Sequence, residues 1–234
     1  MPVISTDSEI RESDTIQRYM DLPKLLDLLH FKALYLRRAD GFTDRLEGAL
    51  FPSLRSSINA AHSAREIPYD ADYFYERSRV GNYVSCWTLG EKDSMAHWQL
   101  YAGAKTGVAV TSTIKQLVST ALSWNRDSVI HRVKYVDHRR VNKYVIGNYT
   151  DVLQFKHEAY TYEKELRLIV PQEADRQSNP MSLRLKVPNL ETLVSGVVVA
   201  PEADEEFYEA VKELCRRYDL KAPVRRSKLT GVPV

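Results

Sequence analysis

The sequence predicts one α+β domain in which a mixed, mainly antiparallel sheet, concentrated in the second half of the chain, is flanked by helices. Segments with strand-like alternation interchange with segments of helical spacing, which is typical of mixed folds. Hydrophobic residues make up 44% and charged residues 27% of the 234 residues, enough for a sizeable core. No linker rich in Pro, Gly or Ser divides the chain. We therefore expect a polar lead-in over residues 1–22 and a single domain over residues 23–234.

Helical and strand-like segments alternate in the first half of the chain. Pro23 opens an apolar helix, because a missing N–H costs little in the first helical turn. A short strand follows over residues 33–37, and mostly helical spacing, interrupted by two prolines, covers residues 44–83. Strands are then predicted over residues 83–88, 107–112 and 129–136, with helices over residues 94–101 and 114–122.

The second half of the chain is denser in strands. They are predicted over residues 163–170, 182–187 and 196–200, with a last short strand near Val224. The helix predicted over residues 201–218 has acidic residues at its start and basic residues at its end, which complements the helix dipole. We therefore interpret this helix as structural.

The charge balance, the cysteines and the hydropathy exclude several classes of protein. The 33 basic residues nearly balance the 31 acidic ones, so the net charge of +2 gives no reason to expect a nucleic acid or a membrane surface as partner. Two cysteines cannot build a disulfide framework. The first seven residues lack the pattern of a signal peptide, and no run of about 18 apolar residues occurs. We expect a cytoplasmic protein without a membrane segment, and the sequence does not predict its oligomeric state.

Three familiar site motifs do not match. Residues 102–107 have Gly, Lys and Thr in the wrong order for a phosphate-binding loop, and the nine glycines contain no dinucleotide-binding fingerprint. The six histidines are dispersed, and none forms the i, i+4 pair that would direct two imidazoles toward a metal. We therefore expect no metal site.

The most informative segment contains Glu163, Glu165 and Arg167 at alternate positions of a predicted strand. Alternate strand residues share a face and lie about 7 Å apart, so the two carboxylates repel each other unless a cation lies close. Arg167 is a candidate for that cation. The alternative is a solvent-facing ladder of ion pairs, which is common on sheets and contributes little stability.

Two further clusters precede that segment. One joins residues 85–88, Ser-Cys-Trp-Thr, to Met95, Trp98 and Tyr101, whose spacing of three predicts a stripe that packs in the core. In the other, Asp44 is expected to cap a helix, with Glu47 as its partner three residues later.

Together these segments resemble a bacterial family known as domain of unknown function 2971. The resemblance runs in order from Leu34 to Arg167 and covers most of the chain. It is carried by Phe42-x-Asp44-x-x-Glu47-Gly48, by Ser85-Cys86-Trp87 with Met95, Trp98 and Tyr101, by Gly107-Val108-Ala109-Val110, and by Glu163-x-Glu165-x-Arg167. Because the activity of that family is not settled, the resemblance implies a fold more readily than a reaction.

The order of the polar residues is also similar to that of ADP-ribosyltransferases, which spread a triad over three strands. Arg37 comes early, Ser85 and Thr88 come in the middle, and Glu163-x-Glu165 comes late. The similarity implies a possible NAD-dependent ADP-ribosyltransferase-like enzyme.

This similarity assigns a role to each candidate residue. Glu165 would stabilise the cationic ribose formed when the nicotinamide bond breaks, and Glu163 would orient or deprotonate the acceptor. Arg37 would bind the pyrophosphate of NAD, and Trp87 or Tyr83 would stack on the nicotinamide. The remaining candidates for NAD binding are Tyr35, Ser85 and Thr88.

Two alternatives stay open from the sequence. The protein is either this enzyme or a non-enzymatic binding or regulatory module, in which the lattice of Glu and Arg is structural. The acceptor is a protein or a nucleic acid. A nucleic acid is considered because basic residues cluster within residues 139–143 and 225–228.

Overall fold

A ten-stranded mixed sheet forms the centre of the residues that the computed structural model describes, which are 4–44, 46–141, 144 and 146–230. A separate pair, β7 and β8, lies beside it. The strands in chain order are β1 (Ile4–Thr6), β2 (Thr15–Asp21), β3 (Ala33–Arg38), β4 (Asn82–Leu89), β5 (Gly107–Thr113), β6 (Ser128–Arg132), β7 (Lys134–Val136), β8 (Phe155–His157), β9 (Glu165–Pro171), β10 (Ser182–Lys186), β11 (Gly196–Val199) and β12 (Val224–Arg226).

Most neighbouring strands of the sheet are antiparallel, as predicted. The order is β1-β6-β9-β4-β2-β5-β11-β12, and β3 joins β4 to β10. Within the described residues the parallel pairs of this sheet are β1 with β6 and β11 with β12. The α+β class is therefore confirmed.

Helices cover both faces of the sheet. They are α1 (Leu22–Phe31), α2 (Pro52–Ser63), α3 (Ala71–Val80), α4 (Met95–His97, continued as a π-helix over Trp98–Ala102), α5 (Ile114–Leu122) and α6 (Glu205–Arg217). Helices α1, α5 and α6 pack on the larger core, and α2 and α3 pack on a smaller one. Alternation along β4 separates the two cores, because Tyr83 and Trp87 join the larger core whereas Val84 joins the smaller.

The sheet forks along β4, and the fork positions the candidate site. The first part of β4 pairs with β3, where Tyr83 and Val84 lie opposite Arg38 and Arg37. The last part pairs with β2, where Thr88 and Leu89 lie opposite residues 17 and 16. A strand has only two edges, and β9 occupies the other edge of β4. Strands β2 and β3 therefore diverge, and a cleft opens between them.

The start of the chain differs from the sequence analysis. Residues 15–21 were expected in a polar lead-in, but they form β2, near the middle of the sheet. The pattern escaped detection because two of the residues with little or no exposure, Gln17 and Tyr19, are polar or amphipathic rather than aliphatic. Asp21 then caps α1 by accepting a hydrogen bond from the Lys24 N–H at 2.9 Å.

None of the described helices is both long enough and apolar enough to cross a bilayer.

Candidate functional site

A cleft of about 500 Å³ occupies the fork of the sheet, and we call it the fork cleft. Its walls come from β2, β3, β4, the turn after β3 and the segment that leads into β9. Of the residues that the sequence predicts for a site, it brings together Tyr35, Arg37, Trp87, Thr88, Glu163 and Glu165. The fork cleft therefore unites the early, middle and late segments of the chain.

Arg18 joins the two arms of the fork. Its guanidinium donates to the Ser85 hydroxyl at 3.0 Å and to the Tyr35 carbonyl oxygen at 3.1 Å, so it bridges β2, β3 and β4. Burial lowers the pKa of Arg18, but a guanidinium stays protonated at neutral pH. The sequence alone does not reveal this residue, because residues 1–22 have the pattern of a polar lead-in and a half-buried Arg within a strand gives no apolar signal.

Ser85 lies behind the fork cleft rather than among the residues that line it. Its side chain is fully buried, and its hydroxyl oxygen accepts hydrogen bonds from Arg18 and from the Trp87 indole N–H at 3.1 Å. Ser85 thus orients one cation and one aromatic ring of the cleft. Arg37, in contrast, is exposed at the edge of the cleft, and Thr88 is half-buried on its wall.

Arg167 connects two glutamates at the floor of the fork cleft. It is fully buried, and its Nε donates to Glu165 Oε1 at 2.8 Å while its Nη2 donates to Glu165 Oε2 and Glu47 Oε2, both at 3.0 Å. Its Nη1 donates to Glu47 Oε1 and to the Leu153 carbonyl oxygen. All five N–H donors of the guanidinium are therefore used. The solvent-facing ladder considered from the sequence is wrong for Glu165 and Arg167, because both are buried.

Glu47 reaches Arg167 from the turn after β3, 120 residues earlier in the chain. The expected helix cap does not form at this place, since the described residues 46–48 form a turn and Asp44 accepts from the Leu46 N–H at 2.9 Å. Gly48 has a φ of +67°, which favours glycine, and a Cβ there would lie 3.1 Å from a Leu153 methyl carbon. The glycine therefore lets the turn approach closely enough to deliver Glu47.

Lys156, on β8, neutralises the two glutamates that the sequence singled out. Its Nζ donates to Glu165 Oε2 at 3.0 Å and to Glu163 Oε2, and it lies 4.7 Å from the centre of the Tyr160 ring. The other oxygen of Glu163 accepts from the Tyr101 hydroxyl. Glu163 itself is not on the strand as predicted, because it ends a 3₁₀ turn and Lys164, with a φ of 46°, redirects the chain before β9 begins.

The two carboxyl groups titrate differently. Burial alone would raise the pKa of Glu165, but the charge and hydrogen bonds of Arg167, together with the charge of Lys156, lower that pKa to about 2. Burial raises the pKa of Glu163, and Lys156 and Tyr101 only partly offset it. Glu165 is therefore ionised at neutral pH, and Glu163 is the carboxylate of the pair that takes up a proton more readily.

An aromatic wall with one histidine adjoins Glu163. The ring centres of His97 and Tyr19 lie 4.9 Å apart, and His97 Nε2 lies 3.3 Å from the Glu163 carbonyl oxygen. Burial lowers the pKa of His97, so its imidazole is neutral at pH 7. The stripe predicted to pack in the core divides here, since Trp98 is fully buried whereas Tyr101 is 43% exposed and reaches Glu163.

Cys86 lines the fork cleft beside Glu165 and Arg167. Burial, together with the nearby charge of Glu165, raises its pKa well above the usual value, so the side chain is a thiol rather than a thiolate. This site is therefore not suited to a cysteine nucleophile. Among the described residues, no group of three or more His, Cys, Asp or Glu side chains is placed to hold a metal ion.

Comparison with known proteins gives no family assignment. No protein-family model and no curated protein matches the chain, so the resemblance to domain of unknown function 2971 is not confirmed. Solved structures with some similarity include DarT from Thermus sp. 2.9 in complex with carba-NAD+, at 11% identity, a TM-score of 0.43 and coverage of 94% of this chain and 97% of that one. The same protein in complex with ADP-ribosylated ssDNA has 9% identity, a TM-score of 0.44 and coverage of 94% and 96%. Its complex with NAD+ has 10% identity, a TM-score of 0.38 and coverage of 94% and 98%.

Proposed function

We propose that the protein is an ADP-ribosyltransferase-like enzyme that binds NAD in the fork cleft and transfers its ADP-ribose to an acceptor. The observation that carries the proposal is the union of two guanidinium groups, Arg18 and Arg37, with the ionised Glu165 in one cleft of about 500 Å³. Along β4, Val84 opposite Arg37 and Thr88 opposite Glu165 are separated by about 13 Å, at about 3.3 Å per residue. Arg37 and Glu165 thus lie toward different ends of the cleft.

The chemistry of the reaction fits this separation. Two guanidinium groups bind the pyrophosphate of NAD through charge-assisted hydrogen bonds, with Tyr35 and Thr88 beside them. The ring of Trp87 packs in the larger core and is 2% exposed, so it supports the wall of the cleft and offers no free face for stacking on the nicotinamide. Ser85 holds Arg18 and Trp87 in place from behind the cleft.

Cleavage of the nicotinamide bond creates positive charge on the ribose. The floor of the cleft has three carboxylates, Glu47, Glu163 and Glu165, against two cations, Lys156 and Arg167, which leaves one negative charge in excess when all are ionised. As the bond breaks, the positive charge of the nicotinamide ring moves onto the ribose, so a carboxylate beside the ribose stabilises the transition state more than the ground state, which is the condition for catalysis. Glu165 is the carboxylate assigned to that position. Glu163, whose pKa is raised by burial, accepts the proton of the acceptor.

The acceptor is a protein or a nucleic acid. The basic clusters that prompted a nucleic acid are not among the residues that line the fork cleft, and Lys143 of the first cluster lies outside the described residues. In the second cluster, Arg226 is engaged with the Ala203 carbonyl oxygen at 3.0 Å and with Glu205 at 2.7 Å. Neither cluster therefore identifies the acceptor.

The direct test uses NAD that carries one label in nicotinamide and another in adenine. We expect the protein to release labelled nicotinamide and to transfer the adenine label to protein or nucleic acid from a lysate. A denatured sample serves as the control. Nicotinamide release at the background rate in every condition, with or without acceptor, would contradict the enzyme.

A non-enzymatic binding or regulatory module is the second candidate function. It is favoured by one observation, that every donor of Arg167 is used inside the protein, as in a lattice that only stabilises the fold. Under this reading Glu165 matters for stability alone. The variants Glu165→Gln and Glu47→Gln distinguish the two functions.

The affinity for NAD provides a second test of the cleft. Arg37→Met is expected to weaken NAD binding by about 10- to 100-fold, since a hydrogen bond to a charged group contributes about 1.5–3 kcal/mol. Arg217→Met is the matched control, because Arg217 is an exposed arginine of α6 and does not line the cleft. Calorimetric titration with NAD measures both. An equal loss in the two variants would show that Arg37 acts through general charge and not through contact.

A further inference from the structure

Lys156 is the cation that the described residues place on Glu163. Its ammonium contacts one oxygen of Glu163 and, at 3.0 Å, one oxygen of Glu165, so a single group connects both carboxylates. Arg167 cannot take over this contact, because its five donors are already directed at Glu47, Glu165 and the Leu153 carbonyl oxygen. Any change in Lys156 therefore acts on Glu163 and Glu165 together.

The surroundings hold Lys156 in this position. The side chain of Lys156 is only 11% exposed, and its Nζ lies 4.7 Å from the centre of the Tyr160 ring, within range of a cation–π contact. Strand β8, which carries it, pairs with β7 through Tyr135 opposite Lys156. The Tyr135 hydroxyl in turn accepts from the Glu165 N–H at 2.7 Å. The lysine and its two glutamates are thus fixed by the same small sheet.

We propose that Lys156 is a positioning residue of the reaction, whose ammonium keeps Glu163 and Glu165 ionised and at a fixed spacing. This inference rests on the proposed function for its catalytic meaning, although the charge relation does not require catalysis. Without the ammonium, two buried carboxylates face each other with one fewer cation, and mutual repulsion favours proton uptake by one of them. Glu163 is the one that takes the proton, because Arg167 still holds Glu165.

Other titratable groups around the pair are too weakly charged to replace Lys156. Tyr101 and Tyr135 approach from the π-helix and from β7, and their pKa values are raised by burial, so both are neutral. Cys86 on β4 is a neutral thiol, and His97 on α4 is a neutral imidazole. Among the described residues the charged neighbours include Glu47 and Arg167, which pair with each other, and Lys164, whose side chain is exposed to solvent. Within the described part of the chain, protonation is therefore the main compensation for removal of Lys156.

The experiment follows the carboxyl groups of Glu163 and Glu165 by NMR, in protein with ¹³C-labelled glutamate side chains. Glu163→Gln and Glu165→Gln assign the two signals. In Lys156→Met and Lys156→Gln we expect the midpoint of the pH titration of the Glu163 carboxyl group to rise by about 1–3 pH units, the range typical for loss of an adjacent opposite charge. Lys156→Arg retains the charge and is expected to restore most of the original midpoint. Lys164→Met is the matched control, since Lys164 is an exposed lysine next to Glu163 in the chain and should leave both midpoints unchanged.

The same variants are then compared for NAD cleavage across pH. The acid limb of the kcat/KM profile, which reports groups of the free enzyme, is expected to move upward with the NMR midpoint, whereas KM for NAD at the pH optimum changes little because Lys156 acts through the glutamates. Midpoints that do not move in Lys156→Met and Lys156→Gln would overturn the inference. If the midpoints move and wild type cleaves no NAD, the proposed function fails while the charge relation stands.

Folding of the variants is itself informative. A raised folded-state pKa of Glu163 stabilises the protein at low pH, and this contribution is lost as the pH rises through that pKa. Should Lys156→Met and Lys156→Gln be soluble at pH 5 but not at pH 7.5, the inference is supported. If the two variants fold neither at pH 5 nor at pH 7.5, the inference is overturned, because protonation of Glu163 at pH 5 would then not have compensated for the lost ammonium.

Discussion

Replacing Arg167 by methionine is expected to destabilise the protein by about 3–5 kcal/mol, the range for removing one partner of a buried ion pair. The side chains of Arg167 and Glu47 are 1% and 2% exposed, so water does not solvate the Glu47 carboxylate when the guanidinium is removed. Methionine has a similar length and fills most of the space, so the loss comes from the charge of Glu47, left without a cation, and of Glu165, left with Lys156 alone, and not from a cavity. Urea unfolding at pH 7 measures the difference.

Arg216→Met is the control for this prediction. Arg216 also pairs with a glutamate, Glu213, but its side chain is 74% exposed, and we expect its loss to cost less than about 1 kcal/mol. Combining Arg167→Met with Glu47→Gln and Glu165→Gln removes the unpaired charges and is expected to regain part of the lost stability. If Arg167→Met lowers the free energy of unfolding no more than Arg216→Met does, the buried ion pairs of Arg167 stabilise the protein no more than an exposed pair.

The pH dependence of the same variant has a defined sign. In wild type the folded-state pKa of Glu165 is about 2, below its ordinary value, so the stabilising contribution of the carboxylate is present at neutral pH and is lost only as the pH falls toward 2. In Arg167→Met the buried Glu165 keeps only Lys156 as a cation, so the pKa of Glu165 rises from its low wild-type value. The difference in the free energy of unfolding between wild type and Arg167→Met should therefore become smaller as the pH falls from 7 to 4.

The sequence predicts the part of this site that depends on local alternation. Glu165 and Arg167 are two residues apart on a strand, so a period of two places them on one face, and the structure confirms Arg167 as the cation beside Glu165. The α+β class follows in the same way, because most of the strands and helices have their own periodic signal. Glu163 departs from the pattern because Lys164 adopts a left-handed conformation, which alternation does not predict.

The rest of the site depends on contacts between distant segments. Glu47 meets Arg167 across 120 residues, and a turn residue carries no signal for such a partner. Arg18 reaches Ser85 only because β2 enters the sheet, and its polar neighbours conceal that strand from a hydropathy pattern. Lys156 lies on a strand of three residues, too short for periodicity to reveal. Tertiary geometry, rather than local preference, therefore brings these cations to the glutamates.

Glu165→Gln is expected to lower the rate of NAD cleavage by at least about 100-fold, the scale seen when one group that stabilises transition-state charge is removed. Glutamine keeps the shape of the side chain and loses the negative charge that would face the cationic ribose. Glu47→Gln is the matched control. Both residues bond to Arg167 through two oxygens, both are buried, and each substitution removes one unit of charge from the same cluster.

The pair of variants separates the enzyme from the structural lattice. If Glu165 acts on NAD, Glu165→Gln and Glu47→Gln should lose similar stability in urea, yet Glu47→Gln should retain cleavage within about tenfold of wild type, since Lys156 and Glu165 stay in place. If the lattice is only structural, the two variants should match in stability and neither should differ from wild type in nicotinamide release. Both variants remove one negative charge and one partner of Arg167, and Glu165→Gln also removes a partner of Lys156. If the two variants are similarly stable, a difference in rate between them therefore reports the place of the carboxylate relative to the ribose.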